Sequence, residues 1–133
     1  MEPLDRIIAE RACEALIIDY AALNDAGAWD ALADMYVKEG RMSRPSAPDT
    51  FIAGQDAIRA AFRSRPKRDS RHICANIRVT LDGPDGAFAT SQILLFTATV
   101  APPLVGSYRD ILRLTENGWR FVQRRGSLDF APK

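Results

Sequence analysis

The sequence predicts an α+β domain, with helices first and a strongly curved antiparallel sheet after them. Two observations carry this. Apolar residues recur every three or four positions up to Arg63, and every second position from Arg71 onward. Turn signals then divide the second half into four long strands. Helices followed by a meander of strands pack with the helices on one face of the sheet. No linker, internal repeat or low-complexity segment interrupts the 133 residues, so a single domain over 1–133 is expected.

Each element has its own reason. Pro3 suits the first turn of a helix, where its missing N–H costs nothing. Leu4, Ile7, Ile8, Ala12, Leu16, Tyr20 and Leu23 then form one stripe, expected to be buried, and "NDAG" (24–27) breaks the helix. A second short helix places Trp29, Leu32 and Tyr36 on a shared face and ends at "KEGR". Two short extended pieces, 41–43 and 50–53, flank Pro45 and Pro48. A third helix over 55–63 buries Ile58, Ala61 and Phe62 before Pro66 stops it. From Arg71, an apolar face of Ile73, Ala75, Ile77, Val79 and Leu81 alternates with His72, Cys74, Asn76, Arg78 and Thr80. Turns at 82–86, 101–103 and 116–118 separate strands expected over 87–100, 104–115 and 119–129.

Composition narrows the function. A net charge of +1 gives no strong pull toward nucleic acid or a membrane surface. The basic stretch "RSRPKRDSR" (63–71) lacks interleaved aromatics and reads as a solvated loop. No apolar run approaches a transmembrane span, and the N-terminus lacks the basic start and apolar block of a signal peptide, so a cytoplasmic location is expected. Cys13 and Cys74 are the two cysteines and are expected to stay reduced. No phosphate loop, dinucleotide fingerprint or metal cluster occurs, so neither cofactor nor metal is expected.

The one histidine, His72, is the natural focus for chemistry. A neutral imidazole takes a proton well near pH 7, best when an aspartate fixes its tautomer. Asp19, Asp25, Asp30, Asp34 and Asp110 are candidate partners. Asp25 stands out because it falls at the break after the first helix, near Tyr20, although local sequence alone favours it as the N-cap of the second helix. His72 fits equally as a hydrogen-bonded structural residue.

"LIIDYAALNDAGAWDALADMYVKEGRM", "FIAGQDAIRAAF", "RHICANIRV" and "GSYRDILRLTENGWRFVQRR" together, in this order, resemble the SnoaL-like group of the NTF2-like superfamily over 4–129. The resemblance implies a cone, in which a bent sheet wraps helices around a deep apolar pocket. It also implies enzymes such as scytalone dehydratase, bile acid dehydratase and hexachlorocyclohexane dehydrochlorinase, which use a His–Asp pair. On that basis His72, Asp25 and Tyr20 are the expected catalytic residues, and Arg124, Asn76, Tyr36 and Tyr108 the expected substrate contacts. The second pocket histidine of scytalone dehydratase has no counterpart. The implied activity is a cofactor-independent lyase or isomerase acting on a small, apolar, oxygenated ring or polyketide-like molecule. A polyketide cyclase and a non-catalytic binding module are the alternatives within the same family. A homodimer or homotrimer is also implied.

Overall fold

Pro3 opens helix α1, Pro3–Ala26, in the computed structural model, which describes residues 1–67 and 69–130. Gly27 closes the helix with φ 69°, a left-handed turn open to glycine at no steric cost. Its N–H and that of Ala28 return to the carbonyls of Asn24 and Leu23. Helix α2, Trp29–Asp34, follows at once. Then come strands β1, Tyr36–Arg44, and β2, Ala47–Ala53, helix α3, Gln55–Arg63, and four long strands: β3, Ser70–Asp82; β4, Gly86–Thr97; β5, Leu104–Thr115; and β6, Gly118–Asp129.

The six strands form one curled, unclosed sheet in the order β2-β1-β6-β5-β4-β3. Neighbours are antiparallel except β1 and β6, which run parallel, so the sheet is mixed rather than wholly antiparallel. The three helices pack on its concave side. Phe62 is fully buried and stacks flat on Trp29, with centroids 5.8 Å apart. Burying such a ring contributes about 2–3 kcal/mol. Ile17, Leu32, Ile58, Leu112 and Phe121 complete the centre of the core.

Four expectations need correction. Tyr36 opens β1 and does not extend α2, because Met35 caps that helix and its carbonyl pairs with the Phe121 N–H of β6. The first two turns of the α1 stripe are exposed: Leu4, Ile7 and Ile8 project beyond the sheet, and burial begins at Cys13. The helix also continues through Asp25, whereas Ala28 holds the N-cap position of α2, so Asp25 is not its cap.

The fourth correction concerns strand faces. β3 carries a bulge between its pairs Ala75↔Gln92 and Arg78↔Thr90, with Asn76 at φ 52°. One extra residue reverses which side chains face inward. His72 and Cys74 point to the concave side, Ile73 is exposed, and beyond the bulge Ile77, Val79 and Leu81 turn inward. β6 does the same at Val122, which lies between the pairs Leu112↔Phe121 and Ile111↔Gln123. Trp119 and Phe121 face the core, and then Arg124 and Gly126 do. Strict alternation would put Arg120, Val122 and Arg124 on one face, and the extra residue at Val122 prevents it.

Candidate active site

Asp25 sits in the last turn of α1, where the helix dipole disfavours a carboxylate. The start of β3 compensates. The His72 backbone N–H donates to both carboxylate oxygens, at 3.1 and 2.9 Å, and the Ser70 hydroxyl donates to Oδ1 at 3.1 Å. His72 Nδ1 lies 2.5 Å from the same Oδ1. Arg71 Nε stands 3.9 Å from Oδ2 on the solvent side. The His72 and Asp25 side chains are only 7% and 14% exposed, so water competes little for the pair. A carboxylate accepts, so Nδ1 carries the hydrogen, and in the neutral form of the ring the lone pair is on Nε2.

His72 forms part of the wall of a cavity of about 340 Å³ enclosed by α1, the β1–β2 turn and strands β3 to β6. Met42, Ile93, Leu95, Leu104 and Leu128 make it apolar, and Tyr20 and Tyr108 face into it. The Tyr20 hydroxyl lies 3.0 Å from that of Tyr36 and 3.7 Å from the Met42 sulfur. Burial pushes the Tyr20 phenol up, against the pull of the Arg124 charge, so it stays protonated.

Arg124 lies behind these rings. Its guanidinium carbon is 4.3 Å from the Tyr20 ring centre and 3.7 Å from that of Tyr108. Its Nε is 3.1 Å from Asp110 Oδ1, and both side chains are buried. Burial raises the Asp110 carboxyl to about 6 despite that neighbour, and the surrounding acids keep Arg124 cationic.

The expected residues therefore separate into three groups. Tyr20, His72 and Tyr108 meet around the cavity, with Asp25 behind His72. Tyr36 and Arg124 are corrected from ligand contacts to supports: they are 1% exposed and stand behind the wall. Asn76 is corrected as well. The bulge turns it to the outer face, where its amide donates to Gln92 Oε1 at 2.5 Å. Three site residues were not expected. Ser70 shares the inward side of His72 at a spacing of two, a signal present in the alternation. Arg44, at the end of β1, carried no such signal. Arg65 belongs to the basic stretch expected to be solvated, yet it is part of the cavity wall and lies over Phe62. Arg68 of that stretch lies outside the described residues.

Comparison with known proteins adds the context. The family model described as a SnoaL-like domain matches residues 5–125. No curated protein sequence matches the chain. An NTF2-like protein with a cystatin-like fold from Novosphingobium aromaticivorans is 25% identical, with TM-score 0.82 over 96% of this chain and 86% of that one. A candidate scytalone dehydratase from the same species is 20% identical, with TM-score 0.84 over 97% and 89%. A hexachlorocyclohexane dehydrochlorinase of the LinA type from Novosphingobium barchaimii is 16% identical, with TM-score 0.83 over 97% and 92%.

Proposed function

We infer that this chain, which belongs to the SnoaL-like family of the NTF2-like superfamily, is a cofactor-independent lyase or isomerase that removes a proton from carbon. The observation that carries the reading is the short His72–Asp25 contact at the wall of an apolar cavity. His72 Nε2 takes the proton from a carbon next to a carbonyl or opposite a leaving group. Asp25 holds the ring and supports its positive charge. Tyr20 donates a hydrogen bond to the developing oxyanion or departing oxygen, with Tyr36 behind it as donor in turn. A phenol raised by burial is a poor proton source. In a dehydration, the C–H electron pair therefore becomes the new double bond, and the proton held on His72 passes to the departing hydroxyl, which leaves as water. In an isomerisation the same proton returns to a different carbon. The structural neighbours described as a scytalone dehydratase and a dehydrochlorinase support an elimination on a small ring.

The test needs no knowledge of the natural substrate. Cyclic ketones such as β-tetralone, incubated with the protein in heavy water, report proton abstraction as deuterium uptake seen by NMR. Wild type should accelerate uptake, and His72→Ala and Asp25→Asn should each abolish the acceleration while the fold and ligand binding persist. Bound ketone with no accelerated exchange favours the binding module instead.

We also assign self-association to the outer sheet face. Ile73 and Leu94 are paired across β3 and β4, and Phe88 and Ile111 across β4 and β5; all four are exposed. Analytical ultracentrifugation should find a dimer or trimer, and Phe88→Asp should return it to monomer.

A further inference from the structure

Two guanidinium groups, Arg44 and Arg65, line the largely apolar cavity, and among the described residues no carboxylate lines it. Arg44 Nη2 donates to the Ala61 carbonyl at 3.2 Å, which fixes the side chain, while its Nε is buried with no hydrogen-bond partner. Arg65 comes from the segment after α3, across the cavity from β5. It lines the cavity, with its guanidinium carbon 4.9 Å from the centre of the Phe62 ring. A largely apolar cavity with two arginines and no acid among its described lining residues is complementary to a molecule with an apolar body and a negative end.

We propose that the substrate of this site is an apolar ring compound bearing a carboxylate, and that Arg44 and Arg65 hold that carboxylate while the ring lies against the leucines near His72. The proposal rests on the catalytic reading for the word substrate. Binding alone tests it.

The probes are β-naphthoate and its neutral counterpart β-naphthylmethanol, titrated calorimetrically into the whole protein. A charge-assisted contact in such a cavity predicts that wild type binds the acid about ten- to a hundredfold more tightly than the alcohol. Arg44→Gln and Arg65→Gln should each shrink that preference about tenfold and leave the affinity for the alcohol unchanged. If Arg44→Gln fails to fold, because it loses the Ala61 contact, Arg65→Gln alone carries the test. Equal affinity for the two probes in wild type overturns the proposal. So does a preference that survives both substitutions, or failure of either probe to bind at millimolar concentration. His72→Gln separates this outcome from the catalytic reading. It should keep the full preference for the acid, whatever becomes of turnover.

Discussion

Replacing Arg124 by methionine removes the counter-charge from a buried carboxylate, and the consequence should depend on pH in a calculable way. Asp110 is 3% exposed, and its carboxyl is raised from 3.8 to about 6 by burial even with Arg124 beside it. A folded pKa above the unfolded one means that this group favours folding below pH 4. That stabilisation is lost as pH rises through about 6. The shift corresponds to about 3 kcal/mol in the wild type. Without Arg124 the carboxyl must rise further, so the loss extends to higher pH. At pH 8, breaking a buried pair from one side should cost about 3–5 kcal/mol, or roughly 10–20 °C in Tm for a chain of this length. At pH 5, Asp110 is largely protonated in either protein, and only the packing over Tyr20, Tyr108 and Phe121 is lost. Urea denaturation at pH 5 and pH 8, followed by circular dichroism, gives the difference directly. The double variant Asp110→Leu/Arg124→Met should recover most of the loss at pH 8, since two neutral side chains need no counter-charge. A penalty that is the same at both pH values, or below about 1 kcal/mol at pH 8, would refute the account of a dry ion pair.

Three other outcomes follow from the site and the bulge. In Asp25→Asn the amide can donate to Nδ1, so the imidazole should switch its hydrogen to Nε2; the ¹⁵N shifts of the single histidine read this, and deuterium uptake should fall about a thousandfold or more. Tyr20→Phe removes the hydroxyl that the proposed reaction uses as a donor, now beside Tyr36 and Met42, and should slow the same exchange about a hundredfold, with a Tm change of only a few degrees. At the Asn76 bulge, where φ is 52°, Asn76→Gly should fold with stability near that of wild type, whereas Asn76→Val should lose about 1–2 kcal/mol in urea denaturation.

Helix α3 and strand β5 have the boundaries read from the sequence, because proline, glycine and charge punctuate both ends. The faces of β3 were not legible for a specific reason. Alternation identifies the inward side only when the outer side is polar, and here Ile73 and Ala75 lie outside just as Ile77 and Val79 lie inside. The apolar series at 73, 75, 77, 79 and 81 runs unbroken through a change of side. One local hint existed, since asparagine is among the few residues that tolerate positive φ. The His72–Asp25 contact spans 47 positions and depends on how α1 lies against β3, which no local pattern encodes. Resemblance to a family suggested the pair. The same resemblance could not show that Arg124 faces Asp110 rather than a ligand, because that depends on the one-residue shift at Val122.

The bulges at Asn76 and Val122 divide labour within single strands. On β3 and β6, the half that builds the cavity and the half that builds the core use opposite parity, while β4 and β5 keep one parity throughout. The cavity residues His72 and Leu128 thus stand in the opposite phase from the core residues of their own strands, Ile77, Val79, Trp119 and Phe121. The two requirements are written in separate reading phases, as if on two pages. The cost is sensitivity to deletion. Loss of one residue at either bulge would restore regular pairing and merge the phases. On β3 that would carry His72 to the outer surface while the core half of the strand stayed in place, giving a folded protein without the His72–Asp25 contact. Length at these two positions is therefore under tighter constraint than side-chain identity along most of the wall.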